Sequence, residues 1–105
     1  MSSPVSFGQI IRWGQEKILL EALSSAAVAQ AIPSTFLAEV RATAPVYIRF
    51  GDETVEATQD NDSHLFPAGV QTIIIPVDED GQRYTHVSVV RAGAADGIVQ
   101  ICQVY

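Results

Sequence analysis

The sequence predicts an all-β protein, a small β-sandwich or jelly-roll-like domain, for three reasons. After residue 34, apolar and polar residues alternate with a period of two in several short runs, as in strands with one buried face. Glycine, proline and aspartate separate these runs and favour turns. Strong helical periodicity is absent after residue 30, so the strands are expected to pack as sheets.

The alternation is clearest in residues 36–43 and 46–50, which predict two strands. Ala44-Pro45 between them predicts a tight corner, because proline fixes φ and favours an extended preceding residue. Residues 54–58 predict a short solvent-facing strand, and 60–63 a loop rich in residues that bond their own backbone.

The C-terminal third predicts three further strands. Residues 70–77 predict one that is buried on both sides at its centre and ends near Pro76, which cannot donate to a ladder. Residues 85–91 and 98–105 predict the other two. The Ala-Asp-Gly tip before Ile98 favours a hairpin between them, because aspartate and glycine tolerate positive φ.

Residues 9–30 allow two interpretations. They are rich in helix formers, and one helical face could hold Ile11, Leu19, Leu20 and Leu23. Gly14 interrupts that pattern and Ser24-Ser25 favours a turn, so residues 17–23 could instead be a strand paired with 28–32. We expect the strand.

Composition limits the classes of function that this chain can have. With 105 residues the chain fits one domain, and 48% hydrophobic against 17% charged residues favours a homo-oligomer. A net charge of -6 with only 6 Lys and Arg disfavours nucleic acid and anionic membrane surfaces as partners. A single cysteine forms no intrachain disulfide, and no signal peptide or membrane span is expected, which favours synthesis in the cytoplasm.

Candidate chemistry is sparse, and we expect no enzyme, cofactor or metal. Cys102, His86 and His64 could be imagined as a catalytic set, but no nucleophile motif surrounds them. The acidic runs 60–62 and 78–80 lack the spacing of a calcium loop. Four aromatic residues could line a sugar-binding surface, although core or interface positions are commoner: Trp13, Tyr47, Tyr84 and Tyr105.

The order of segments after about residue 18 resembles that of small virion proteins of tailed bacteriophages and prophages. The resemblance rests on a strand ending in Ile-Pro, the V-Y-I-R-F-G-D segment, a Leu-Phe-Pro-Ala-Gly turn, a Thr-His-Val-Ser-Val-Val strand and a terminal Ala-Asp-Gly hairpin. In this chain these are residues 31–33, 46–52, 65–69, 85–90 and 95–105, with the alternating strand 35–43 and the apolar strand 71–77 between them.

This resemblance implies a capsid decoration or cement protein on the outer face of a phage head. It implies the major capsid protein as partner, association of copies as trimers or dimers, with a homotrimer expected, and a location in the virion. A receptor- or carbohydrate-binding module of a head or tail fibre is the alternative.

An N-terminal arm, residues 1–17, is expected to precede the sandwich domain, residues 18–105. Pro4, Gly8 and three serines favour a flexible start. Five apolar residues of this arm have no obvious partner within the domain and are the candidate contacts with a neighbour: Val5, Phe7, Ile10, Ile11 and Trp13.

Overall fold

The computed structural model describes residues 13–33 and 35–104, which form eight strands and no helix. The all-β prediction is therefore confirmed for this part of the chain. The strands are β1 (Trp13–Ala22), β2 (Gln30–Ala31), β3 (Leu37–Ala42), β4 (Val46–Gly51), β5 (His64–Phe66), β6 (Gly69–Ile74), β7 (His86–Arg91) and β8 (Gly97–Val104).

The strands form two antiparallel four-stranded sheets. The first sheet has the order β1-β8-β3-β6 and the second has the order β2-β7-β4-β5. The pairs β1 with β8, β2 with β7, β3 with β6 and β4 with β5 are nested, so the chain pairs like one long hairpin folded over itself. Of the connections between consecutive strands, only that from β4 to β5 stays within one sheet.

The core lies between the inner faces of the two sheets. It consists mainly of β-branched side chains and alanines, which pack as one layer between the sheets. The buried members are Leu20, Ala22, Ala38, Val40, Ala42, Val46, Ile48, Ile75, Val87, Val89, Val99 and Ile101. Their positions follow the predicted alternation in β3, β4, β7 and β8.

The N-terminal half forms the expected strands but pairs them differently from the prediction. The described part of residues 9–30 contains strands, as expected, but the predicted pairing of residues 17–23 with 28–32 is wrong. Strand β1 pairs with β8 and β2 with β7, in different sheets. Local sequence indicated the turn at Ser24-Ser25, whereas the partners are fixed by packing with distant strands.

The predicted hairpin at the Ala-Asp-Gly tip is also wrong, because β7 and β8 lie in different sheets. The connection instead packs beside the Ala44-Pro45 corner, where the Ala92 N–H donates to the Pro45 carbonyl at 3.1 Å. At Gly97 an added Cβ would lie 3.1 Å from the Ala44 Cβ. Because Gly97 has no side chain, the β3–β4 and β7–β8 connections, which both cross between the sheets, can lie close together.

Two strand predictions in the second half were wrong in detail. Residues 54–58 form a loop and not a strand. Strand β6 ends at Ile74, and it is an edge strand with an exposed outer face rather than a strand buried at its centre. Its apolar composition suggested burial, but no described strand covers its free edge.

Strand β1 begins at Trp13, within the segment assigned to the arm. Val5, Phe7, Ile10, Ile11 and the side chain of Trp13 lie outside the described residues. The division into an arm of residues 1–17 and a domain of 18–105 stays a prediction.

Replacement of Ile101, which is fully buried in β8, tests the placement of the core. We expect Ile101→Ala to lower the free energy of unfolding by about 2–5 kcal/mol, since it removes buried methyl groups and leaves a cavity. The matched control is Ile98→Ala in the same strand, where the side chain is 49% exposed and a change below about 1 kcal/mol is expected. If urea denaturation showed equal losses of unfolding free energy for Ile101→Ala and Ile98→Ala, this placement of the core would be contradicted.

Candidate interaction surfaces

An open apolar groove of about 590 Å³ lies beside the edge strands β1 and β2. Its exposed large hydrophobic side chains come from β1, the 23–29 connection and β8. They are Leu19, Leu23, Val28 and Ile98, of which Val28 is the most exposed at 86%. Four large aliphatic side chains facing solvent together form a patch of the kind that marks contact with another molecule.

Hydrogen bonds to β7 and β1 hold the wall of this groove in place. The Ala27 N–H donates to the Val89 carbonyl at 2.8 Å, and the Arg91 N–H donates to the Leu23 carbonyl at 2.9 Å. The Gln30 side-chain amide donates to the Leu19 carbonyl at 3.3 Å. The 23–29 connection is thus anchored at several points, so the groove is formed before any partner arrives.

The groove suits apolar side chains of a protein better than a sugar or a small charged ligand. Among the described residues that line it, Glu21 is the one charged residue and none is aromatic. Sugars are bound through stacked rings and convergent polar groups, whereas aliphatic walls gain free energy by excluding water from an apolar partner.

A second, polar groove of about 580 Å³ lies beside β4, next to the loop of residues 52–63. Charged and hydrogen-bonding side chains line it, namely Arg49, Asp52, Thr54, Glu56, Asp62, His64 and Tyr84. The Arg49 guanidinium donates to the Glu56 carbonyl at 3.4 Å and so contacts the loop. Side chains of both charge signs and the rings of Phe50, His64 and Tyr84 therefore border the same opening.

Two aspartates organise the loop beside this groove. The Thr54 hydroxyl and N–H donate to Asp52 Oδ1 at 2.6 and 2.9 Å, and these bonds lower the pKa of Asp52 below its ordinary value of 3.8. The Thr58 hydroxyl and Asp62 N–H donate to Asp60 Oδ1 at 2.6 and 2.9 Å, and they lower the pKa of Asp60 in the same way.

Ser88 links both grooves to the centre of the second sheet. This β7 residue is fully buried although it points away from the core valines. Its hydroxyl donates to the Ala27 carbonyl at 2.7 Å and accepts from the Ala57 N–H at 3.0 Å. The Ser88 side chain thus anchors two segments. One is the 23–29 connection, which forms a wall of the apolar groove, and the other is the loop beside the polar groove.

The imagined catalytic residues are not brought together. Cys102 is buried in β8 of the first sheet. His86 and His64 lie in β7 and β5 of the second sheet, on either side of β4. The Nδ1 atom of His86 lies 2.8 Å from the Thr85 hydroxyl.

The acidic runs use their carboxylates within their own loops. Asp78 Oδ1 accepts from the Asp80 and Gln82 N–H groups at 2.8 and 2.9 Å, much as Asp60 does in the other run. Within the described residues no three His, Cys, Asp or Glu side chains are grouped to hold a metal ion. The same residues include no helix that could cross a membrane.

Of the four candidate sugar-binding aromatics, Tyr84 lines the polar groove and Tyr47 lies half-buried on β4 outside it. The Trp13 side chain and Tyr105 lie outside the residues that the structure describes. Sequence reasoning missed the apolar groove: its residues were assigned to a helical face or a hairpin. Val28 was the residue that could have indicated the groove, since a valine in a connection between strands does not belong to an alternating pattern with a buried face.

Gly51 sets how closely the 52–58 loop can pack on β4. An added Cβ there would lie 2.8 Å from the Cβ and Cγ2 of Val55, which is too close for any side chain. We expect Gly51→Ala to displace the loop and lower the free energy of unfolding by about 1–3 kcal/mol in urea. In the control Gly93→Ala, where no atom of the described residues lies within 4 Å of the added Cβ, the free energy of unfolding should change by no more than about 0.5 kcal/mol. Equal losses of unfolding free energy in Gly51→Ala and Gly93→Ala would contradict the steric argument.

The two aspartates make the loop sensitive to acid. Because their pKa values are lower in the folded chain, their stabilisation is complete above the ordinary value of 3.8 and is lost as pH falls towards the lowered values. NMR should show carboxyl midpoints below 3.8 for Asp52 and Asp60. Thr54→Val should raise the midpoint of Asp52 and leave Asp60 unchanged. A wild-type midpoint at or above 3.8 for Asp52 would contradict the assignment.

Comparison with protein families, with curated proteins and with solved structures finds no match to this chain.

Proposed function

We propose that this protein is a capsid decoration subunit of a tailed phage or prophage, which binds the major capsid protein on the outside of the head and stabilises the shell. The observation that carries the proposal is the preformed apolar groove at Leu19, Leu23, Val28 and Ile98. The order of segments that resembles small virion proteins adds support. Such a subunit is made in the bacterial host cytoplasm and resides in the virion.

The groove supports a protein partner because its walls are rigid and aliphatic. Strands β1 and β8 carry Leu19 and Ile98, and hydrogen bonds to β7 fix the connection that carries Leu23 and Val28. A preformed surface loses little conformational entropy on binding, so more of the free energy from apolar burial appears as affinity. A loop or helix of a capsid subunit with exposed apolar side chains fits this surface.

We also propose that the sandwich is a jelly roll. The nested pairs β1 with β8, β2 with β7, β3 with β6 and β4 with β5 support this, since a hairpin of eight strands rolled into two sheets produces that order. The architecture recurs in viral capsid and lectin domains, so it is compatible with a capsid decoration subunit and with a carbohydrate-binding module.

The N-terminal arm is proposed as a second contact. The residues Val5, Phe7, Ile10 and Ile11 precede β1, and β1 contributes Leu19 to the groove. A segment that orders on a neighbouring subunit gains contact area there, which offsets the entropy lost in ordering it.

Reinforcement needs no chemical step. A protein that binds the assembled lattice, but not separate capsid subunits, shifts the equilibrium towards the assembled state by mass action. Because a head offers many identical sites, small contributions at each site add up.

The test uses heads of the parent phage prepared without this protein. Wild-type protein should co-sediment with them and raise the temperature at which they release DNA. Val28→Asp should weaken binding at least about tenfold, equivalent to about 1.4 kcal/mol, because it places a charge in the apolar contact. Leu65→Asp is the matched control, since Leu65 is 61% exposed but lies on β5, away from the groove.

Two results would refute parts of this proposal. Heads that bind Val28→Asp and Leu65→Asp as tightly as wild type would exclude the groove as the contact. Deletion of residues 2–12, which leaves β1 intact, tests the arm. If the truncated protein coats heads as tightly as wild type and the temperature of DNA release is unchanged, the arm is excluded as a contact. Failure of wild-type protein to bind heads would exclude decoration altogether.

The polar groove favours carbohydrate binding as a second candidate function. Tyr84 offers a ring, while Arg49, Asp62 and His64 offer hydrogen-bonding groups around the same opening. Titration of labelled protein with host surface polysaccharide, followed by NMR, separates the two functions. Shifts confined to the polar groove, and abolished by Tyr84→Ala, would favour the binding module over the decoration subunit.

A further inference from the structure

In the part of the chain that the structure describes, four strands lie at sheet edges, and three of them are protected against pairing with another chain. Strands β2 and β5 have only 2 and 3 residues. Strand β1 carries Glu16, Lys17 and Glu21, and its register is irregular between Trp13 and Lys17. Short length, charge and bulges are the usual means by which proteins protect exposed edges.

Strand β6 has none of these protections. Its six residues, Gly69–Ile74, include no charge and no proline, and they pair with β3 in an unbroken register. Val70 is 57% exposed and Ile74 is 69% exposed, so the edge is also apolar. An edge of this kind, roughly 20 Å long, readily accepts another strand.

The backbone groups that face outward from β6 can be identified. The Ile75 N–H donates to the Phe36 carbonyl at 2.9 Å, so the odd-numbered residues of this segment direct their backbone groups towards β3. Because hydrogen bonding alternates along an antiparallel pair, the N–H and C=O groups of Val70, Thr72 and Ile74 point towards the free edge. Among the described residues no strand lies beyond that edge.

We propose that β6 pairs antiparallel with β6 of a second copy, around a twofold axis at Thr72. In this register Thr72 faces Thr72 of the other copy and Val70 faces Ile74. All of these residues direct their backbone groups to the free edge, so the pair can form six main-chain hydrogen bonds. Opposed residues also share a face, which places apolar side chains beside apolar ones and threonine beside threonine.

The sequence of β6 favours a second copy over an unrelated strand, because pairing about Thr72 opposes Val70 to Ile74 and threonine to threonine. Two chains that each carry a net charge of -6 repel each other, so a contact between copies is favoured at a segment that adds no like charges. The uncharged β6 meets that requirement. Phe36 and Val77, 60% and 55% exposed, lie beyond the same end of the β3–β6 pair and add exposed apolar surface there.

This inference does not depend on the proposed function, because it concerns the protein alone in solution. It differs from the homotrimer that the family resemblance implies, since a twofold contact between identical strands closes at two copies. The contact is small, so we expect an affinity on the order of micromolar.

Light scattering on the full chain tests the proposal. Wild-type protein at about 100 µM should have twice the monomer mass. Thr72→Pro should be monomeric, because it removes an N–H that faces the free edge and leaves the bonds to β3 intact. Ile74→Lys should also be monomeric, while the matched control Leu65→Lys, on the edge of the other sheet, should remain dimeric.

Hydrogen exchange gives a second measurement. The amides of Val70, Thr72 and Ile74 should become protected as concentration rises, whereas those of Gln71 and Ile73, which face β3, should be protected throughout. A wild-type monomer or trimer, or a dimer that survives Ile74→Lys with its β-rich circular dichroism intact, would overturn the proposal. Protection of the edge amides at every concentration would also overturn it, since residues of the same chain would then cover the edge.

Discussion

The packing of two inner sheet faces against each other is the constraint on which the rest of this structure depends. A shift of one residue in any strand would turn its apolar side chains away from the core, so register and composition fix one another. Since all but one of the connections cross between the sheets, each crossing must also deliver the next strand in register. Ala44, Pro45 and Gly97 allow two crossings to pack closely. Function is therefore left to outward positions, connections and edges.

The sequence could predict features that depend on neighbouring residues. The alternation in β3, β4, β7 and β8 was sufficient to identify these strands and their buried faces, because side-chain direction has a period of two. It could not predict which strands pair, since pairing depends on residues far apart in the chain. The hairpin expected before Ile98 shows this limit: the turn residues are suitable, but β7 and β8 belong to different sheets.

The candidate surfaces were harder to predict than the fold. Apolar residues in β1 and the 23–29 connection suggested a core, and only the position of β1 and β2 at sheet edges turns them into a groove. The same holds for β6, whose apolar residues predicted burial but lie at an edge. Sequence can report that a segment is apolar, but whether the protein's own core covers it depends on the sheet order. Ser88 was missed because a serine in a strand gives no local sign that two connections depend on it.

The positions of the two apolar surfaces make the roles proposed for them compatible. Strands β1 and β6 are opposite edges of the first sheet, with β8 and β3 between them. Pairing through β6 therefore leaves the groove beside β1 open on both copies, and a dimer carries two grooves. A bivalent unit that engages neighbouring sites on a lattice gains an effective concentration for its second contact, so two weak apolar contacts can hold firmly. The same unit has no such gain on separate subunits, so under the proposed function it would favour the assembled shell.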